Sequence, residues 1–418
     1  VPIFYKFKGN DFHLMAKQKE TGLDRRKFIN KLVVTSLVAC SPFPKLALAQ
    51  SQSATENTFV TPPYLQNVSA DGATIIWITT KNCLAWVEIE EEGKVNHKIF
   101  AAKNGLVATG RIHQIKLTAL SPGTTYRYSI HAKEIIGFKP YKITYGNTIS
   151  QKGFSFSTPA QHGHSVNFIV LNDMHNHPES IRHLLKSYAR PEEYDFVVLN
   201  GDMFDFVEQE EKIVSDVLLP LSTFFSSSKP FFMVQGNHEV RGSYARQLFD
   251  YFDYKNDHCY YAFTQGPVRF VILDSGEDKE DGHPDYAGLV AFDPYREEQA
   301  QWLRKEIESP EFRKAAFRII FIHIPPFYSG DWHGTTHCQQ LFNPIFNNGK
   351  VDLVISGHTH TWGTYPDTDQ HHYPIMIGGG PKPGTRTIIK AKVDQKTLNI
   401  KMLNDEGIEV GALNLKKK

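Results

Sequence analysis

Two kinds of hydrophobic pattern divide this chain. Between residues 57 and 158, apolar and polar positions alternate in short runs: ATIIWITT, LAWVEIEEE, NHKIFAA, RIHQIKLTAL, TTYRYSIHA and GFSFST. A period of two with no helical periodicity predicts half-buried strands, and their even spacing predicts an all-β sandwich over residues 57–158. Trp77 falls mid-strand, where a core side chain belongs, and Tyr126 follows a Pro-Gly turn. From Val166 the runs become continuously apolar and alternate with amphipathic segments such as PESIRHLLKSYAR and PYREEQAQWLRKEIES. Unbroken apolar runs read as strands buried on both faces, so residues 165–418 are expected to form an α/β domain. The C-terminal segment returns to strand-like patches, RTIIKAKV, TLNIKML and IEVGALNL, which should complete a sheet of the same domain.

Five of the apolar runs end in groups that can bind a metal. FIVLNDMH ends in Asp173 and His175, FVVLNGDMFD in Asp202 and Asp205, and FFMVQGNHE in Asn237 and His238. IIFIH ends in His323, and LVISGHTH in His358 and His360. Loops at the carboxyl ends of strands in an α/β sheet lie along one edge, so residues far apart in sequence can share a pocket there. The donors are imidazole nitrogen, carboxylate and amide oxygen without thiolate, which suits Mn, Fe, Zn or Co better than a structural zinc cage. Asp173, His175, Asp202, Asn237, His323, His358 and His360 are too many for one ion. They suit two, with a carboxylate between them.

Charge adds a contrast between the two ends. Of 418 residues, the first fifty hold nine Lys/Arg and three Asp/Glu, and the remainder carries 37 against 42. A mildly acidic body has no footprint for nucleic acid. The first fifty residues read as an export leader. Arg25 and Arg26 precede Phe28, Lys31 and an apolar run at 32–39, too short to span a bilayer. The segment resembles a bacterial twin-arginine signal, with Asp24 in place of the usual Ser or Thr. Two cleavage patterns stand side by side. Leu37-Val38-Ala39-Cys40 resembles a lipobox that would lipidate Cys40, and Ala47-Leu48-Ala49 before Gln50 fits ordinary signal peptidase. The mature protein is therefore expected to be periplasmic or a membrane-anchored lipoprotein. Residues 1–14 precede Met15 and read as an upstream extension. With Cys40 consumed, Cys83, Cys259 and Cys338 form an odd set without metal-type spacing.

The ordered series D-x-H, G-D-x-x-D, G-N-H-E, strand-end His and G-H-x-H resembles the calcineurin-like metallophosphoesterases over roughly residues 165–380. The segment from PYLQNVSADGATIIW onward resembles the fibronectin type III-like N-terminal sandwich of purple acid phosphatases, including a tyrosine corner at Tyr126. The resemblance implies an α/β (α+β) metallophosphoesterase sandwich with flanking helices, preceded by an all-β fibronectin type III-like sandwich. It implies a phosphate-ester substrate and two divalent or trivalent metal ions (Mn, Fe or Zn). Asp173, His175 and His360 would hold the first ion, Asn237, His323 and His358 the second, and Asp202 would bridge them. Metal-bound hydroxide would attack in line. His238 would protonate the leaving oxygen, with Asp205 orienting its imidazole. Purple acid phosphatases carry a tyrosine ligand in a G-D-x-x-Y motif; here Asp205 takes that position, so a colourless protein is expected.

Arg241, two residues past GNHE, could reach a phosphate oxygen bidentately or serve a salt bridge. The loop FYSGDWHGTTHCQQ places His333 and His337 beside Trp332, and His333 is a candidate substrate contact. His177 and Asp274 read as outer neighbours of the site, and His162 and His164 as solvated linker residues. Phosphomonoesterase activity is favoured. A phosphodiesterase of the same family is the alternative, because the ligands serve both reactions. A non-catalytic surface binding protein with structural metals is the reading from another class; the His238–Asp205 pair, outside the ligand set, argues against it.

Overall fold

The structure is a computed structural model that describes residues 56–90 and 97–417. The leader with Cys40 and both cleavage patterns lies outside the described residues. Within them, no helix is long and apolar enough to cross a membrane.

The N-terminal all-β region is built on one bent strand, Ala73–Glu90. Its first half pairs with Tyr64–Gln66 and Thr109–Leu117, and its second half with His97–Ile99 and Thr125–Lys139. The two strands expected here are thus one. The polar interruption TTKN contains no glycine or proline to turn the chain, and the register shifts between Ile78 and Cys83 instead. Trp77 is fully buried in the core of this region. The Tyr126 hydroxyl accepts from the Ser121 amide at 2.7 Å, which closes the tyrosine corner. Thr125–Lys139 and Lys142–Ser157 form a hairpin much longer than the alternation of TTYRYSIHA and GFSFST alone predicts.

The rest of the chain forms two six-stranded mixed sheets packed face to face. One runs Phe231–Val234, Phe196–Asn200, Ser165–Leu171, Thr387–Asp394, Thr397–Asn404 and Glu409–Lys416. The other runs Tyr261–Gln265, Val268–Leu273, Phe317–Ile322, Leu353–Ser356, Ile375–Ile377 and Gly363–Tyr365. The C-terminal strands do complete a sheet of this domain. Between the sheets, the Phe168 ring lies 5.5 Å from Phe196, 5.4 Å from Phe270 and 5.9 Å from Phe321. On the outer faces, Ile181, Leu184 and Leu185 of helix Pro178–Tyr188 cover the first sheet. Helices Phe292–Glu306 and His333–Gly349 cover the second through Ala300, Leu303, Phe342 and Phe346. Each inner strand is therefore buried on both faces, which is why its sequence reads as a continuous apolar run.

His333 opens a 17-residue helix rather than sitting in a loop. The Gly- and Thr-rich start HGTTHCQQ has low helix propensity, and packing of Cys338, Phe342 and Phe346 decides the matter.

The β region is fastened to chain on both sides of the GNHE motif. Asp253 accepts from Thr74 Oγ1 at 2.6 Å and Asn67 Nδ2 at 3.0 Å, and pairs with Lys116 at 2.8 Å. The Tyr64 hydroxyl donates to the Tyr251 carbonyl, and the Tyr128 hydroxyl to the Ser227 carbonyl, each at 2.8 Å.

Candidate metal centre

Three ligand-bearing strands belong to the first sheet and two to the second. Each runs parallel to its ligand-bearing neighbours, so their carboxyl ends come together where the two sheets meet. The cluster thus spans two sheets, where a single sheet edge was expected. Val268–Leu273 is parallel to Phe317–Ile322, and its end contributes Asp274, Glu277 and Asp278 to the neighbourhood.

The loops that carry the ligands are conformationally strained. Asp173, His175, Asp202, His358 and His360 all have positive φ, between 43° and 73°. Each non-glycine residue held there costs on the order of 1 kcal/mol, and such strain concentrates at functional sites. Glycines make room beside them. A Cβ on Gly357 would lie 2.3 Å from Asp173 Oδ2, and one on Gly201 2.3 Å from His323 Nδ1. That is why the strand LVIS ends in glycine before its two histidines.

The donor atoms fall into two groups that share one residue. Asp173, His175, Asp202 and His360 converge in one, and Asp202, His323 and His358 in the other. Asn237 Oδ1 joins the second group, 3.0 Å from His358 Nδ1. In the first, His175 Nε2 and His360 Nε2 face each other at 2.8 Å. Backbone amides fix the carboxylates: His358 N donates to Asp173 at 2.9 Å, and His238 N to Asp202 Oδ1 at 2.9 Å. His323 Nδ1 donates to the Asn200 carbonyl at 2.8 Å, which turns Nε2 inward. That Nε2 is buried and faces Asp202 Oδ2 at 3.0 Å.

Electrostatics give the same picture. Burial works against a charged His323, yet Asp202 and Asp173 overcome it and push its pKa up to about 10. Burial would raise Asp202, but His323, His238 and His175 hold it well below the usual carboxylate range. Carboxylates that favour the charged form of a buried imidazole favour cations at the same place. The inward-facing imidazole nitrogen of His323, the buried carboxylates and the oxygen and nitrogen donor set all fit a two-metal centre.

His238 stands beside the first group, its ring 4.6 Å from that of His175. Its Nδ1 donates to the Asp205 carbonyl at 2.9 Å, and the half-exposed Asp205 carboxylate lies 3.3 Å away. The same carboxylate is 3.4 Å from His175 Nδ1. Arg241 is held bidentately by Glu277, Nε at 2.9 Å and Nη2 at 2.7 Å, which leaves Nη1 to donate to His238 Nε2 at 2.8 Å. Burial lowers the His238 pKa and Arg241 adds to this, partly offset by Asp202.

Other candidates lie further out. His333 pairs with Asp293 at 2.7 Å and His337 with the same oxygen at 3.1 Å. His177 precedes helix Pro178–Tyr188 and contacts the His175 carbonyl through Nδ1 at 2.7 Å. Asp274 is buried, its carboxylate accepting from Gly276 N at 2.8 Å.

Sequence reasoning missed three acids, Glu277 behind Arg241 being one. Glu239, the last residue of GNHE, is buried and accepts from the amides of Asp202 (2.8 Å), Met203 (2.7 Å) and Gly236 (2.8 Å). It stitches two ligand loops together. Asp278 lies 3.1 Å from His358 Nε2 through one oxygen and 3.4 Å from Asn237 Nδ2 through the other. The only signal for Asp278 is the acidic run DSGED after an apolar strand.

Residues 166–362 match the model of the calcineurin-like phosphoesterase family. Purple acid phosphatase 22 of Arabidopsis thaliana is 24% identical over 286 residues, covering 65% of this chain and 57% of that protein. The purple acid phosphatase of Glycine max is 22% identical over 319 residues, covering 71% of this chain and 65% of that protein. Serine/threonine-protein phosphatase CPPED1 of Pongo abelii is 26% identical over 203 residues, covering 45% and 62%. The chain spans between half and two thirds of the length of these relatives. The segment that matches the calcineurin-like phosphoesterase model contains all seven converging ligands.

Proposed function

We propose that this chain is an exported dinuclear-metal phosphoesterase that hydrolyses phosphate esters, with monoesters preferred over diesters. The observation that carries the reading is Asp202, whose carboxylate belongs to both donor groups and so can join two cations. Such a pair, when bound, supplies Lewis acidity to phosphoryl oxygens and lowers the pKa of water. Asp173, His175 and His360 would hold one ion and Asn237, His323 and His358 the other. Arg241 Nη1 and His238 Nε2 face the same side of the cluster, where an ester oxygen can replace the contact between them. Protonated His238 would then donate its Nε2 proton to the departing alcohol oxygen, while Nδ1 stays fixed on the Asp205 carbonyl. Similarity to the purple acid phosphatases supports the monoester preference. Asp205 in the place of their tyrosine supports a colourless centre, so purified protein should lack a visible tyrosinate band.

The experiment is turnover of p-nitrophenyl phosphate against its bis ester on the metal-loaded protein. Faster monoester turnover supports the proposal, and a clear preference for the bis ester makes the protein a phosphodiesterase. Loss of turnover in H238A with metal content intact would dismiss the binding-only alternative. Export rests on the twin-arginine-like leader, and mass spectrometry of the mature N-terminus separates lipidated Cys40 from a start at Gln50.

A further inference from the structure

The hairpin of the β region projects beyond the sheet that carries it. Strand Ala73–Glu90 stops pairing with Thr125–Lys139 at the Cys83–Glu134 pair. Among the described residues, past Glu134 the two hairpin strands pair with each other alone, through Ile135–Tyr145, Gly137–Thr144, Phe138–Ile143 and Lys139–Lys142. Roughly five residues per strand therefore stand out by about 17 Å. A two-stranded ribbon without a covering layer is marginal in water. This one nonetheless exposes Ile136 (62%), Phe138 (70%) and Tyr141 (103%), with Ile143 and Tyr145 also exposed.

The side chains are sorted by face. Cross-strand partners share a face, so Ile135, Phe138, Ile143 and Tyr145 line one side, while Lys139 and Lys142 pair on the other beside the turn. Lys133 Nζ lies over the Tyr145 ring at 4.7 Å, which brings a third ammonium to the rim of the apolar side. No Asp or Glu occurs between Glu134 and Asp173, although residues 51–418 carry net negative charge.

We propose that the hairpin tip, residues 135–145, docks on an anionic lipid bilayer. Isoleucine, phenylalanine and tyrosine at a narrow tip can enter the headgroup–acyl boundary without a shaped groove to receive them. Lysine stems reach along the apolar surface and place their charges among the headgroups. The acid-free stretch complements a negative surface. The docking surface lies outside the metal centre and does not depend on the phosphoesterase reading.

The test is co-sedimentation of the full chain with phosphatidylcholine vesicles, with and without about one third phosphatidylglycerol, at low and high salt. Binding should favour the anionic vesicles by at least ~10-fold and weaken with salt. It should fall by at least tenfold in F138S/Y141S/I143S, and K139E/K142E should lose only the preference for anionic lipid. Both variants change exposed residues, so thermal unfolding and turnover of a soluble ester should match the parent. Equal vesicle binding by parent and hairpin variants would overturn the proposal, since the leader would then carry the lipid contact. No vesicle binding, or dimerisation that disappears with Phe138, would overturn it in favour of a protein partner.

Discussion

Arg241 Nη1 lies 2.8 Å from His238 Nε2, and the other nitrogens of that guanidinium are taken by Glu277. The arginine is therefore not a free clamp; it is a fixed cation with one donor aimed at the imidazole. A donor at Nε2, with Nδ1 donating to the Asp205 carbonyl, describes a neutral His238.

It follows that His238 must gain a proton before it can donate one. Burial and Arg241 hold its pKa below the ordinary imidazole value, so the protonated form grows only as pH falls below about 6.5. Turnover limited by this proton should rise towards acid pH. R241A removes a positive neighbour, so the His238 titration should move up and the alkaline limb of the pH–rate profile with it. NMR titration of His238 in parent and variant checks this; a downward shift or none contradicts it.

Glu239 should matter more for the site's integrity than its place outside the ligand set implies. E239A leaves the amides of Asp202, Met203 and Gly236 without their acceptor in a buried setting. The cost should be about 3 kcal/mol or more. Thermal unfolding should show this destabilisation, and metal retention should fall in parallel because both ligand loops lose their tie. Unfolding unchanged within about 0.5 kcal/mol would contradict the role.

Asp278 touches His358 and Asn237, both expected on the same ion. A carboxylate behind a ligand fixes its orientation, and its removal weakens metal binding by about 10–100-fold. D278A should release one cation to a chelator at concentrations that leave the other bound, as read by elemental analysis. Loss of both together, or of neither, would show that Asp278 does not single out one side.

Asp274 sets a pH dependence on stability. Burial raises its carboxyl pKa from 3.8 to about 6, although the Gly276 amide and Arg296 pull it back. A raised folded-state value means the acid's favourable contribution is complete below about pH 4 and disappears as pH rises through 6. D274N keeps an acceptor for the Gly276 amide without the charge. It should match the parent near pH 4 and exceed it by up to about 3 kcal/mol at pH 8. Urea unfolding at the two pH values decides; a variant weaker at pH 8 would mean the ionised carboxylate is needed.

The site was more legible in the sequence than its support. Runs such as FVVLNGD and LVISGH are readable because strands buried on both faces admit only apolar side chains, so the first polar residue marks where each strand leaves the core. The division into two facing sheets came from the family resemblance and not from the apolar runs, since Phe168 and Phe321 look alike whichever sheet they belong to. Asp278 and Glu277 were hidden because an acid four or five residues past a strand looks like surface, and only the fold reveals it turned inward. The strand Ala73–Glu90 was divided because TTKN is polar, although exposure on one face needs no break in pairing. His333 drew attention as a histidine in an aromatic stretch, yet helix His333–Gly349 turns it to Asp293.

Metal content decides whether Asp202 joins two cations. Elemental analysis of the full chain reconstituted with Mn, Fe or Zn should give about two ions per molecule, and D202A should lose both. One ion or none in the parent protein, with no turnover of a phosphate ester after reconstitution, would contradict the account.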